Sequence, residues 1–296
     1  MVNRSWPLAA PLDLPVTLRF SLPGSATSTR HSAGQVAYAK DTHDGPATVM
    51  LTVSGGSLEA AGVGPGAESA LDAVPRTVGL DDDPSMFTVK TGPLRDLHLR
   101  NLGLRLGSTG RVFDALLPTI LGQRVTTEEA RRSYRGLVNS FGKPAPGNLG
   151  LKIPPAPSSL ASLAYEDLHR FGIEQSRARL VIEAARRAGR LEEILTMAKA
   201  SAAGRLQTIR GIGPWTTAMV MGAAWGDRDA LPRGDFHIPN SVSWLLAGEP
   251  RGSDDRMEEL LEPFRPYRRR AMILVKLSGV HAPRYGPRSS KSVISG

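Results

Sequence analysis

Apolar positions before residue 100 alternate or gather in short β-branched runs, whereas from residue 101 they recur at helical spacing. The runs Leu14–Phe20, Gln35–Ala39 and Thr48–Val53 are bounded by Gly, Pro and Ser and predict three strands. Ala67–Val78 predicts a short helix despite Pro75. The expected class is therefore α+β. A small N-terminal antiparallel-sheet domain occupies residues 1–100, a mainly α-helical core residues 101–284, and a disordered tail residues 285–296.

In the second half, Gly110–Gln123 carries apolar residues at i, i+3, i+4 and i+7. Thr126-x-x-Glu129 is a capping box opening a helix to about Ser140. Lys143–Ser159, rich in Pro and Gly, reads as a connector. One helix ends at Gly172, and Ser176 caps the next, which runs to Gly189. Within 203–225, Leu206 and Ile209 sit at helical spacing before a turn containing Gly211 and Gly213. Pro214 then takes the first helical position, where its missing N–H costs nothing, and an apolar helix follows to about Trp225. Ile238–Leu246 is a further helix.

Charge changes the picture. The 296 residues hold 37 Lys and Arg against 28 Asp and Glu, a net charge of +9 that favours a polyanionic partner. No apolar run approaches the roughly 18 residues of a membrane span, and the start lacks a signal-peptide core. Nucleic acid is the expected partner, with no membrane, and the expected state is a cytoplasmic monomer, nucleoid-associated in a bacterium. Cysteine is absent, which removes disulfides, thiolate zinc, cysteine nucleophiles and cysteine-held iron–sulfur clusters. The six histidines show no i, i+4 pairing, so a metal site is not expected from them.

The hairpin suggests how DNA is gripped. Unpaired N–H groups and the positive dipole end at the second helix's start suit a phosphate, and main-chain contacts of this kind hold a strand without reading its sequence. Taken alone, the same residues also describe a Gly-Pro turn between two core helices, with Asp235 as a helix cap.

Gly211-Ile212-Gly213-Pro214-Trp215-Thr216 followed by Asp235 resembles the helix-hairpin-helix, Gly/Pro-rich loop, aspartate signature of the DNA glycosylase superfamily, most of all its 3-methyladenine DNA glycosylase II branch. Three further stretches resemble family elements. They are Ile120–Thr126, Phe171-Gly172-Ile173 with Arg177-Ala178, and Glu262–Ala271. The resemblance implies that Asp235 is the catalytic carboxylate and that Gln123, Arg124, Gly211, Gly213, Thr216, Arg265 and Arg268 meet DNA. Arg124 stands on the loop that wedges into the vacated stack, where relatives often carry an apolar residue. The resemblance further implies a sodium or potassium ion on the main-chain carbonyls of Gln207, Ile209 and Ile212, with no cofactor for catalysis. Bifunctional members place a lysine nucleophile where this chain has Trp215, so no lyase step is expected. The second aromatic wall of the branch has no counterpart in Met272–Lys276.

A glycosylase must rotate its target nucleotide out of the stack, and a fixed carboxylate then stabilises positive charge growing on the sugar. Asp235 is the candidate, with Asp227 and Asp229 as alternatives in what reads as a polar turn. Trp215 and Tyr267 are the candidate base pocket, since ring faces attract a cationic base. An N3- or N7-alkylated purine already carries charge and leaves without strong protonation, so one carboxylate suffices. Trp225 and Trp244 read as core, His237 as structural, Asp81-Asp82-Asp83 as a solvated loop, and Arg186, Arg187 and Arg190 as a solvated face. The acid-free stretch from Arg265 onward reads as a phosphate-tracking patch. The expected function is a monofunctional glycosylase for alkylated purines. A glycosylase for a deaminated or oxidised base, or a non-catalytic binder of DNA, is the alternative.

Overall fold

The computed structural model describes residues 1–22, 27–32 and 34–283, so the expected tail at 285–296 lies outside the described residues. Strand β1 (Val2–Pro7) leads to helix α1 (Leu14–Ser21) and then to β2 (Thr29–Ser32), β3 (Gln35–Thr42), β4 (Gly45–Ser54) and β5 (Ser57–Val63). The five strands form one antiparallel sheet in the order β1-β5-β4-β3-β2. Gly55 and Gly56, both at positive φ, make the two-residue turn that pairs Ser54 with Ser57. Val49, Leu51 and Leu58 point inward and are fully buried, as alternation along β4 and β5 dictates.

Leu14–Ser21 is a helix and not the expected strand. Its apolar positions fit a period of two, but Asp13 accepts the amide of Val16 and Pro15 falls in the first turn. With the helix started, Leu14, Thr17, Leu18 and Ser21 share the buried face. The helix expected over Ala67–Val78 is divided into α2 (Ala67–Asp72) and α3 (Val74–Thr77), the break falling before Pro75.

The helical part runs α4 (Pro93–Arg100), α5 (Val112–Leu121), α6 (Thr127–Phe141), α7 (Pro157–Ala161), α8 (Tyr165–His169), α9 (Gln175–Arg186) and α10 (Ala188–Glu192). It continues with α11 (Lys199–Gln207), α12 (Pro214–Val220), α13 (Ile238–Ala247), α14 (Asp254–Leu261) and α15 (Arg268–Leu277). The capping box is formed as expected: Thr126 accepts the Glu129 amide, and Glu129 accepts the Thr126 amide. Helix α9 is capped two residues earlier than expected, at Glu174, so Ser176 lies inside it.

Two helical cores result. One joins α5, α6, α9 and α11 to α12 around Phe113, Leu116, Val181 and Leu206. The other joins α4 with α13, α14 and α15 around Leu94, Val242, Met257 and Leu274. A buried ionic knot ties the second core to the sheet region, and it corrects the reading of Asp81-Asp82-Asp83 as solvated. Asp82 is fully buried and pairs with the equally buried Arg270, which also donates to the Leu104 carbonyl at 2.9 Å. Asp82 accepts the Leu106 amide at 2.7 Å, and Arg105 donates to the Asp82 carbonyl. The three acidic side chains diverge, but burial of the middle one fixes where the domains meet.

Candidate active site

The segment between the two helical cores carries Asp235. The carboxylate Oδ1 accepts the amides of His237 and Ile238, each at 2.8 Å, and so caps α13. Its Oδ2 accepts the indole N–H of Trp215 at 2.8 Å. Three donors on two oxygens leave the group little freedom to turn. The cap reading and the catalytic reading of Asp235 are therefore compatible, since one oxygen serves the helix while the whole group stays half-buried at the wall of an open cleft.

That cleft holds about 1470 Å³ and brings together residues from five stretches. They are Gly122–Thr126 after α5, Leu163–Tyr165 at the start of α8, the face of α9, the hairpin Arg210–Thr216, and Gly234–His237. The hairpin lies as expected between α11 and α12. Gly211 has φ of 101°, a conformation suited to glycine, and an added Cβ would sit 3.1 Å from Leu180. Gly213 has an ordinary φ of −94°, and an added Cβ would meet nothing within 4 Å. The backbone there is left bare on its open side. After Val220 the helix continues as a π turn, Met221–Trp225. Gly222 in that turn lies against Arg269, whose Nε would be 2.2 Å from an added Cβ.

Gln123 and Thr216 are brought together and spent inside the protein. The Gln123 amide donates to the Gly211 carbonyl at 3.0 Å and to the Thr216 hydroxyl at 2.8 Å, which locks the loop after α5 onto the hairpin. Thr216 is only 2% exposed. Arg124, next along, is exposed and is the one non-glycine residue at positive φ among the described residues, at 58°. A left-handed arginine costs roughly 1 kcal/mol, and the anchored Gln123 holds the loop in that shape. Arg177 supports the loop from below: it is buried and donates to the Leu121 carbonyl at 2.9 Å.

Other expected site residues lie elsewhere. Tyr267 packs against the core of α4, α13, α14 and α15 and does not line the cleft, so Trp215 alone of the two expected aromatics faces it. Arg265 and Arg268 are held by Asp229, at 2.9 and 2.6 Å, and by Glu262. Arg269 and Arg270 are buried; burial lowers the Arg269 pKa to about 10 against the opposing charges of Asp227 and Asp82. The acid-free stretch is thus a structural strut over its described part, and the phosphate-tracking reading is corrected there. The alternatives to Asp235 are also occupied. Asp227 pairs with Lys199 at 2.8 Å, Asp229 holds the two arginines, and both are 7% exposed. The turn they form is polar in sequence yet buried.

Two features escaped the sequence. Phe236 is 81% exposed beside Asp235, an unusual position for a phenyl ring and one that only its neighbour in sequence signals. Lys276 keeps an accessible side chain on α15, yet it is crowded enough that desolvation lowers its pKa, against the opposing charge of Asp235. An ammonium therefore shares the neighbourhood of the candidate carboxylate. Of the three carbonyls expected to hold the hairpin cation, that of Ile209 accepts the Ile212 amide at 3.0 Å. Among the described residues no cluster of three His, Cys, Asp or Glu could hold a metal. No described helix is long and apolar enough to cross a membrane.

The arrangement has counterparts. A DNA-3-methyladenine glycosylase of Bacillus subtilis is 28% identical over 197 residues, covering 64% of this chain and 65% of that protein. A second relative from the same organism is 25% identical, over 53% of this chain and 55% of its own. The chain thus spans just over half to two-thirds of the length of these curated relatives. A 3-methyladenine DNA glycosylase from Archaeoglobus fulgidus has the same fold, with a TM-score of 0.78 at 22% identity over 93% of this chain and 97% of that one. So does an 8-oxoguanine glycosylase/lyase from Clostridium acetobutylicum in complex with double-stranded DNA, with a TM-score of 0.74 at 14% identity over 95% and 99%. The family description of the HhH-GPD base excision DNA repair proteins matches residues 117–266, from the middle of α5 to the entry of α15, and so takes in the anchored loop, the hairpin and Asp235 together. The chain belongs to the HhH-GPD superfamily of base excision DNA repair proteins.

Proposed function

We propose that this protein is a monofunctional DNA glycosylase that turns an alkylated purine, of the 3-methyladenine or 7-methylguanine type, out of duplex DNA and hydrolyses its N-glycosidic bond. The observation that carries the reading is the fixed carboxylate of Asp235 on the wall of the cleft, aimed by Trp215. Charge developing on the deoxyribose is stabilised by a carboxylate that needs no rearrangement as the bond breaks, and the same group orients the attacking water. The Trp215 ring supplies the pocket face for a cationic base. The remaining cleft carboxylates are engaged: Glu129 in the capping box, Glu174 with Ser176, and Glu183 with Arg187. None is free to act as a proton donor, which suits a base that already carries its charge. Trp215 at the position of the family's lysine nucleophile supports hydrolysis without a lyase step. The partner is double-stranded DNA containing damaged bases, bound by the monomer, with sodium or potassium on the carbonyls of Gln207, Ile209 and Ile212 as a structural ion.

A second reading rests on the single aromatic face of the cleft. Trp215 lines it while Tyr267 does not, so the ring enclosure that favours a cationic base is incomplete, and a deaminated or oxidised base is the alternative. Both readings are tested by incubating heavily methylated, deaminated and oxidised genomic DNA with the protein and identifying released bases by mass spectrometry. Methylpurines in the supernatant support the first reading; uracil, hypoxanthine or oxidised guanine alone support the second. Asp235→Asn is expected to keep DNA binding, since its carbonyl still caps α13, and to slow release by about 10²–10³-fold. Release at the wild-type rate would remove Asp235 from the chemistry. Tight lesion binding with no abasic product over many hours would leave a non-catalytic binder.

A further inference from the structure

Contacts along the cleft run in one order. Asp235 touches Trp215, and Gln123 bonds to Gly211 and Thr216. Leu180 lies under Gly211, Arg177 holds Leu121, and Arg186 donates to the Ala161 carbonyl at 2.9 Å. The loop bearing Arg124 is therefore in the middle, with Asp235 towards one end and the later turns of α9 towards the other. On that far end Arg179, Glu183 and Arg186 fall at i, i+4 and i+7 of α9, on one face that lines the cleft. Glu183 is neutralised by Arg187 at 2.5 Å, whereas both cleft-facing arginines are exposed and neither has a carboxylate partner among the described residues. This is the reverse of Arg265 and Arg268, whose charges are taken up by Asp229 and Glu262.

We infer that this face of α9 binds the phosphates of the undamaged strand of the duplex. The inference rests on the reading of the cleft as a DNA site. If a nucleotide is drawn towards Asp235, its strand follows it to that side of the Arg124 loop. The strand left behind then lies across the loop, where α9 offers two uncompensated guanidinium groups. About 10 Å of helix axis separates Arg179 from Arg186, at 1.5 Å per residue, far enough for the two to meet separate phosphates of one strand. Guanidinium groups suit phosphate because they donate in a planar fork.

The test compares wild type with Arg179→Gln/Arg186→Gln on a duplex carrying one abasic-site analogue and on the lesion strand alone. Both residues are solvent-exposed, and a thermal melt checks that the fold is unaffected. The double variant is expected to bind the duplex on the order of tenfold to a hundredfold more weakly, with its salt slope reduced by about two. Binding to the single strand stays within twofold. Neutral methylphosphonates on the undamaged strand, placed opposite the lesion, should abolish the difference between the two proteins. Equal losses on duplex and single strand, no loss on either, or a difference erased only by methylphosphonates on the lesion strand would each overturn the inference. Base release by wild type is scored separately. Its absence would sink the assignment of Asp235 while leaving the strand comparison intact.

Discussion

The indole N–H of Trp215 donates to Oδ2 of Asp235 at 2.8 Å across twenty residues of chain, while Oδ1 is claimed by the amides at the start of α13. The tryptophan thus has two separable roles, a ring for the base and a donor for the carboxylate. Trp215→Phe keeps most of the ring face and deletes the donor. Losing one hydrogen bond to a charged group, worth about 1.5 kcal/mol or more, is expected to lower kcat roughly tenfold with little change in KM. Single-turnover base release measures this directly. A variant with kcat intact and KM raised would show that only the ring matters.

The two hairpin glycines are there for different reasons, and substitution separates them. Gly211→Ala forces a side chain into positive φ and against Leu180, so thermal stability is expected to fall by about 1 kcal/mol or more. Gly213→Ala has open space around its new methyl and no backbone conflict, so stability should hold. The methyl instead stands where a strand would approach, and DNA affinity should drop. Calorimetry and binding isotherms on the pair check this. Normal DNA affinity in a folded Gly213→Ala protein would mean that no strand comes close to this bend.

The hairpin, its aspartate, the capping box and the strand pairs at 35–39 and 48–53 were legible because each is decided by residues within a few positions. The α1 segment was not. Leu14, Val16, Leu18 and Phe20 satisfy a period of two as well as Leu14, Thr17, Leu18 and Ser21 satisfy that of a helix, and only Asp13 with Pro15 breaks the tie. Arg265 and Arg268 look like free cations because the carboxylate that claims them, Asp229, lies 36 and 39 residues earlier. Asp82 looks solvated for the same reason, its partner Arg270 being 188 residues away. Lys276 could be placed near Asp235 only once α13 and α15 were packed together.

Asp229 makes an acid-dependent contribution to stability. Burial alone would raise its pKa, but Arg268 and Arg265 outweigh that and hold it below the ordinary carboxylate value. A carboxylate with a depressed folded pKa stabilises fully above its unfolded pKa, near 3.9 for a model aspartate. That stabilisation is lost as pH falls through the lower folded value. Asp229→Asn should therefore melt below wild type at neutral pH, and the gap should close as pH drops beneath about 4. Melting curves across that range test it. A gap that persists unchanged into strong acid would mean that the residue's packing, not its charge, holds the entry to α15.

Lys276 bears on which base is released. Its ammonium shares the environment of Asp235, and desolvation already works against its charge. A second cation brought into the same region by an N3- or N7-alkylated purine would be repelled, whereas a neutral base with a carbonyl acceptor would not. Lys276→Met removes the charge and keeps an unbranched side chain of similar length. If the lysine lies beside the extruded base, the variant should release cationic methylpurines faster than wild type, and any neutral base more slowly, by roughly tenfold in the ratio for about 1.4 kcal/mol of discrimination. The ratio of the two kcat/KM values reads this without reference to how much active protein is present. Borohydride added to the wild-type reaction asks a related question, because a lysine close to the sugar carbon could be trapped as a covalent adduct. The expected outcome is no adduct, as fits a hydrolytic enzyme with Trp215 at the nucleophile position. A trapped species that vanishes in Lys276→Met would instead make this lysine a nucleophile and the enzyme a lyase.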